Sequence, residues 1–151
     1  ELGISVPLGN CFYLPGAPEQ PLFLFGTGTG LAPLYGILRD ALAHGHSGPI
    51  HLFHGSPVEA GLYLHDALVA LAGVHPNLHY HPCTLGLAER GGVTQGDITE
   101  ISLARCADLS GYRAYLCGNP EIVRVMQRNC FLAGANMRDI LADAFLPAAA
   151  K

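Results

Sequence analysis

Lysine is nearly missing from this chain: Lys151 is the only one among 151 residues, and charged residues of every kind make up 13%. The formal net charge is -4 and no basic cluster occurs, which argues against nucleic acid or an anionic membrane surface as a partner. No apolar run approaches the ~20 residues that a membrane-spanning helix needs. The five cysteines, Cys11, Cys83, Cys106, Cys117 and Cys130, include no C-x-x-C pair and no spacing suited to an iron–sulfur cluster or a zinc site. Reduced thiols in a cytoplasmic setting are therefore expected. No signal peptide is visible, but the chain opens on Glu1 rather than methionine, so further sequence upstream is expected. Half of the residues are hydrophobic, enough for one domain with a real core.

The chain does contain the stretch Pro21-Leu-Phe-Leu-Phe-Gly-Thr-Gly-Thr-Gly-Leu-Ala-Pro33, in which an apolar run meets a glycine-rich turn and then a proline. Residues 22–25 read as a central parallel strand buried on both faces. Gly26, Gly28 and Gly30 are expected to allow positive φ and close approach of a ligand. Pro33 is expected at the first helical position, where its missing N–H costs nothing. Such a helix start presents unsatisfied N–H groups and a positive dipole end to an anion, most simply the pyrophosphate of a dinucleotide. The spacing is G-x-G-x-G-x-x-P, not the dinucleotide fingerprint G-x-G-x-x-G, because Pro33 stands three residues after Gly30. Taken alone, the loop also fits a tight strand-to-helix turn with no ligand.

The same order recurs near the C-terminus. Tyr112-Arg-Ala-Tyr-Leu-Cys117 is strand-like, Gly118-Asn119-Pro120 is a turn, and a helix follows from Glu121 with Ile122, Met126, Cys130 and Ala133 along one stripe and Gly134 placed to end it. Two such turns in one domain suggest two loops closing on one ligand from adjacent strand ends, where ligands bind in open parallel sheets.

Between them the pattern is βαβα. Leu34, Ile37, Leu38, Ala41 and Leu42 mark the buried face of a helix that Gly45 ends. Residues 50–54 form a second strand, 63–71 a helix ending at Gly73, and 78–83 a third strand. A loop through Arg90-Gly91-Gly92 leads to a helix over 97–105 with Asp97 as its N-cap. Residues 140–145 are assigned to a final strand, although a helix over 137–145 competes by propensity. Alternating strands and helices with short connections imply right-handed crossovers and a doubly wound α/β sheet. Residues 1–15 are turn-rich and read as a linker, leaving 16–151 as the folded unit. Eight histidines raise the question of metal, above all the pairs His44/His46 and His79/His81. No acidic or cysteine ligand accompanies either pair at a characteristic spacing, so no metal site is expected.

Gly26-Thr-Gly-Thr-Gly-Leu-Ala-Pro33 resembles the G-x-G-T-G-[IL]-A-P loop, and Cys117-Gly118-Asn119-Pro120 the C-G-[PN]-P turn, of the nicotinamide-nucleotide domain of the ferredoxin-NADP reductase superfamily, which includes the reductase components of bacterial oxygenases. The segment 55–64 and the aromatic end Asp143-Ala144-Phe145 are similar as well. The resemblance implies a five-stranded parallel sheet of order 3-2-1-4-5 with helices on both faces. It further implies that Gly26, Thr27, Gly28, Thr29, Gly30 and Pro33 hold the pyrophosphate, with Thr29 toward the nicotinamide. Gly55 and Ser56 would approach the adenosine ribose, and Gly118, Asn119 and Pro120 would flank the nicotinamide ribose. Cys117 would sit beside the carbon that gives up hydride, and Phe145 against a flavin ring. Read without the resemblance, Cys117 and Phe145 are ordinary core residues.

The family's flavin motif R-x-Y-[ST] is absent; Arg113-Ala-Tyr115 is followed by Leu116. Residues 7–13 resemble the tail of the missing flavin-binding half, where Gly9-Asn10-Cys11 would approach the flavin phosphate. The expectation is thus the nicotinamide-binding part of an NAD(P)H-dependent flavoprotein reductase, a fragment inactive alone, passing hydride from NADH to FAD in an upstream domain and electrons onward to an iron–sulfur or oxygenase partner. Hydride transfer needs orientation rather than a general acid or base, consistent with the lack of a paired-carboxylate site. NADH is expected over NADPH: relatives selecting the 2′-phosphate carry arginine or lysine after the second strand, whereas residues 55–64 hold no basic residue and include Pro57 and Glu59. Arg90 is within reach of swinging in from a neighbouring loop. A non-catalytic nucleotide-sensing module and a histidine-based metal-binding domain are the alternatives from other functional classes.

Overall fold

Along the central strand β1 (Leu22–Thr27), Leu22 and Leu24 enter one hydrophobic cluster and Phe23 and Phe25 enter another. A strand so apolar on both faces needs cover on both, and the chain supplies it. The computed structural model describes residues 11–145, so Gly9 and Asn10 lie outside the described residues. β1 is followed by α1 (Leu31–Ala43), β2 (Ile50–Ser56), α2 (His65–Val74), β3 (Leu78–Thr84), β4 (Thr94–Gln95), α3 (Ile98–Arg105), β5 (Arg113–Gly118), α4 (Pro120–Leu132) and β6 (Ile140–Ala144). The sheet is parallel throughout, in the order β4-β3-β2-β1-β5-β6. Helices α1 and α2 lie against one face, α3 and α4 against the other.

The fold is α/β and doubly wound as expected, with six strands instead of five. The addition is β4, two residues paired with Cys83 and Thr84 at the sheet edge; a strand so short carries no periodicity to read. Without it the order matches the expected one.

Most helix ends follow local chemistry. The Asp97 carboxylate accepts from Thr99 N–H at 2.7 Å and Glu100 N–H at 3.3 Å, the expected N-cap of α3. Helix α1 closes with Gly45 N–H on Leu42 O and His46 N–H on Ala41 O, and α4 with Gly134 N–H on Phe131 O and Ala135 N–H on Cys130 O. These paired bonds satisfy the last carbonyls of each helix. Three details differ from expectation. Helix α1 begins at Leu31, so Pro33 is its third residue, still among the first four whose N–H has no intrahelical partner. Gly73 lies inside α2, which instead starts after Leu64 at φ 59°. In α4 the buried residues are Val123, Met126 and Cys130, with Ile122 only partly covered. The strand reading of residues 140–145 is correct over Ile140–Ala144, with Phe145 just past the strand end.

Residues 11–15 do more than link. Tyr13 is buried in the α1-side core and its hydroxyl lies 3.1 Å from His46 Nδ1, while Tyr115 Oη donates to the Phe12 carbonyl at 2.9 Å. The histidines of β2 and β3 also serve packing. His51 stacks on His79 and His81, with 3.1 Å between His51 Nδ1 and His81 Nε2. On the opposite face His54 is fully buried, 3.2 Å from Tyr80 Oη through Nδ1, and its Nε2 has no protein partner.

Burial pushes both His54 and His81 down to about 4 from an ordinary 6.5. The unfolded chain therefore binds more protons than the folded one below pH 6.5, and stability present at neutral pH is lost as pH falls toward 4. For the fully buried His54 the loss is on the order of 2 kcal/mol by pH 5. Thermal denaturation should give a midpoint several degrees lower at pH 5 than at pH 7; an unchanged midpoint would contradict a neutral, buried His54.

Candidate functional site

A cleft of about 460 Å³ opens at the C-terminal ends of the strands on the α3/α4 side, within the size range of small-molecule sites. Thr27, Gly28 and Thr29 contribute from the turn after β1, Ser56 and Pro57 from the end of β2, Leu85 after β3, and Gly118, Asn119 and Pro120 from the second turn. Phe145, 36% exposed, closes one end just past β6. The two turns predicted from sequence thus meet around one cavity, at the point where the strand order reverses about β1.

Each glycine has its own reason. Gly28 has φ +53°, and a Cβ there would touch nothing within 4 Å, so its missing side chain leaves open cleft. Gly30 is different: a Cβ would strike the Cys117 carbonyl and lie 2.8 Å from Gly118 Cα. At Gly118, with φ +125°, it would lie 2.5 Å from Thr27 Oγ1 and 2.7 Å from Thr27 O. The turns are therefore pressed backbone to backbone, and Asn119 N–H donates to Thr27 Oγ1 at 3.2 Å across the seam. Gly26 abuts the Leu34 side chain and Gly30, and the room beside Gly55 is filled by Ile98, whose Cδ1 would be 2.7 Å from a Cβ. The expectation of positive φ at Gly26 and Gly30 is corrected accordingly: among the three loop glycines only Gly28 has it.

Among the expected site residues, Gly26, Gly30, Pro33 and Cys117 are not in the lining. Cys117 is fully buried, and its side chain belongs to the α1-side cluster with Leu31, Leu34 and Tyr115. A hydrogen bond with the Cys11 thiol, then burial, pushes the Cys117 thiol well up, while the same bond lowers Cys11. Cys117 is thus a protonated thiol, not a nucleophile. Sequence reading missed Cys83, Leu85, Gly96, Asp97, Ile98 and Ile122 in the lining; no motif marks them, and only their position at strand and helix ends beside β2 and β5 brings them in. Asn119 proves to be the N-cap of α4, accepting from Glu121 N–H at 2.9 Å and Ile122 N–H at 3.3 Å.

The cleft suits an anionic ligand with flat apolar parts. The turn at Gly28–Gly30 and the first turn of α1 carry no acidic side chain, so the positive end of the helix dipole is unopposed. Ile98, Ile122, Leu85 and Phe145 offer apolar walls. The Asp97 carboxylate is engaged in capping α3, and among the described residues no other carboxylate and no histidine lines the cavity. Among the described residues no group of three or more His, Cys, Asp or Glu is arranged to hold a metal ion, and no helix is long and apolar enough to cross a membrane.

The packing gives a stability test. Gly30→Ala forces a methyl into backbone that cannot yield, whereas Gly28→Ala only places alanine at positive φ, at about 1–2 kcal/mol. Gly30→Ala should therefore be the more destabilising by about 2 kcal/mol in denaturant unfolding; equal losses would mean that the turns are not interlocked.

With the geometry in place, comparison with known proteins is direct. The chain is 38% identical over 144 residues to the ferredoxin–NAD(P)+ reductase component of the naphthalene 1,2-dioxygenase/salicylate 5-hydroxylase systems of Ralstonia, covering 95% of this chain and 44% of that protein. It is 37% identical over 147 residues to the corresponding component of the naphthalene 1,2-dioxygenase system of Pseudomonas putida, covering 97% and 44%. The chain therefore spans less than half the length of these relatives. The crystal structure of the Amycolatopsis reductase GcoB superposes with a TM-score of 0.83 at 32% identity, over 94% of this chain and 43% of that one. The family model for the oxidoreductase NAD-binding domain matches residues 24–128, both glycine turns included, and the chain belongs to that family.

Proposed function

We propose that this chain is the nicotinamide-dinucleotide-binding part of a flavoprotein reductase, which passes hydride from NADH to FAD held mostly by an upstream domain, for onward transfer to an iron–sulfur or oxygenase partner. One observation carries the reading: two strand–glycine–proline–helix turns, one after β1 and one after β5, interlock at the topological switch point and line a single cleft. The relatives' names, as reductase components of oxygenase systems, support the same assignment. Buried thiols at Cys83, Cys106, Cys117 and Cys130 favour a cytoplasmic setting.

The residues divide the work along the cleft. Gly28 leaves room for the pyrophosphate, and Thr27 and Thr29 border it at the N-terminal end of the helical segment. Gly55 and Ser56 meet the adenosine ribose, with no basic side chain beside them among the cleft-lining residues, so NADH is preferred. Gly118, Asn119 and Pro120 border the nicotinamide ribose, and Phe145 stands where the cleft would meet a flavin. The nicotinamide, when bound, supplies the hydride. What the chain supplies is position: no proton need move at any cleft side chain, and backbone packed against backbone sets the floor.

Cys117, one residue before Gly118 and expected from the resemblance to be catalytic, is proposed as a positioning residue for hydride transfer. As a buried neutral thiol on the α1 side of the sheet it acts by positioning the Gly118 turn that borders the nicotinamide, through packing rather than by charge.

The 151-residue chain should bind NADH and carry no stoichiometric flavin; a purified yellow protein, or one with no affinity for NADH by calorimetry, would refute the assignment. In the complete reductase, Cys117→Ala should slow flavin reduction at least about tenfold while leaving NADH affinity within a few-fold, since loss of its packing misplaces the adjoining Gly118 turn in the reactive complex. An unaltered rate in stopped-flow measurements would return Cys117 to core packing.

A further inference from the structure

The loop after β3 is fastened onto the turn after β2, beside the cleft. Leu85 N–H donates to Ser56 O at 3.3 Å, Gly86 N–H to Pro57 O at 3.0 Å, and Thr84 Oγ1–H to Pro57 O at 3.4 Å. Farther out, Glu59 Oε2 accepts from Glu89 N–H at 2.6 Å and Arg90 N–H at 3.1 Å. Its Oε1 lies 3.2 Å from Arg90 Nε, and Arg90 NH1 is 4.0 Å from Asp66 Oδ1. The Glu59 side chain is 17% exposed and that of Arg90 52%. Between Arg39 and Arg105 the sequence has no other arginine or lysine. Arg90 is thus the sole arginine or lysine carried by β2, β3 and the loops that follow them.

We propose that the Glu59–Arg90 ion pair is the specificity determinant of the cleft's adenosine end: Glu59 holds the only available guanidinium and so denies it to a 2′-phosphate, leaving an edge that accepts a ribose with an unmodified 2′-hydroxyl. This rests on the dinucleotide reading and adds the residues that tune it. A 2′-phosphate dianion approaching this edge meets a guanidinium whose Nε is already engaged by one carboxylate and whose far nitrogen faces a second. To win Arg90 it would have to pull that side chain away from Glu59, leaving the carboxylate, still held by two backbone N–H groups, as a nearby like charge. A 2′-hydroxyl requires no such exchange. The two backbone bonds also hold the Glu59 carboxyl below its ordinary range, so the pair persists through neutral pH. Sequence reading left Arg90 able to swing in; its partner thirty-one residues earlier keeps it in place.

The test is Glu59→Gln, whose amide oxygen can still accept from Glu89 and Arg90 N–H while the negative charge is gone. Titration of the chain with NADH and NADPH at equal ionic strength should show the wild type favouring NADH, and Glu59→Gln shifting the NADPH-to-NADH affinity ratio toward NADPH by about tenfold, the worth of one charge-assisted contact. Adding Arg90→Gln to Glu59→Gln should return the ratio to its wild-type value. A ratio that Glu59→Gln does not move, or a shift that survives Arg90→Gln, overturns the proposal while NADH binding upholds the dinucleotide reading. A wild-type chain that binds neither nucleotide brings down the reading itself.

Discussion

The site depends on one steric constraint, the contact between the backbones of the two glycine turns. Gly30 is pressed against the Cys117 carbonyl and Gly118 against Thr27, with no atom to spare for a Cβ on either side. The contact fixes the ends of β1 and β5 relative to each other, and the Asn119 N–H bond to Thr27 Oγ1 locks the seam. From there outward the cleft follows: α1 leaves from one turn and α4 from the other, each with its N-terminal end at the cavity. Because the Gly30–Cys117 part of the contact is between main chains, a side-chain rotamer change does not loosen it. That rigidity suits a reaction in which distance and orientation, rather than proton transfer, set the rate.

The sheet that carries this seam is held by two cores of different character. The α1/α2 side is built of leucines around Leu24, Leu34, Leu38 and Leu52, whereas the α3/α4 side has Phe23, Phe25 and Phe53 with the thiols Cys83 and Cys130. Tyr13, from the lead-in segment, completes the first core beside His46, and the neighbouring Phe12 carbonyl accepts from the buried Tyr115 hydroxyl. The same segment brings the Cys11 thiol onto Cys117. The segment read from sequence as a linker therefore contributes to the domain that it leads into.

Features of short range were legible in the sequence. The doubly wound pattern, the apolar central strand, Asp97 as a cap and the closing glycines of α1 and α4 are each written within a few residues, and the structure has them. Features needing a distant partner were not. A glycine announces either an unusual φ or a close neighbour, and the sequence does not say which: Gly28 is the first case, Gly30 and Gly55 the second, and Gly118 both. The two-residue β4 exists only because Cys83 and Thr84 pair with it. The Pro33 offset arises because the turn at Gly28–Gly30 already winds helically before α1 begins. The burial of Cys117 away from the cleft is set by strand alternation, in which Tyr115 and Cys117 share one face, together with a contact from a residue more than a hundred positions earlier.

The two ends of the cleft are held in different ways, and the difference bears on how such a domain can vary. At the β1/β5 end, main chain meets main chain, and almost any substitution for Gly30 or Gly118 disturbs the fold along with the site. At the β2/β3 end the boundary is made by side chains on a backbone of fixed shape: the Ser56 and Pro57 carbonyls hold the facing loop whatever their side chains are, and the Glu59 carboxylate is the one group there that both anchors backbone and balances a charge. Charge at that end can change with little consequence for the seam, because no hydrogen bond connects Glu59 or Arg90 to the β1 and β5 turns among the described residues. On the proposed reading, the chemistry is confined to the part of the molecule that tolerates least change, and the choice of cofactor to the part that tolerates most.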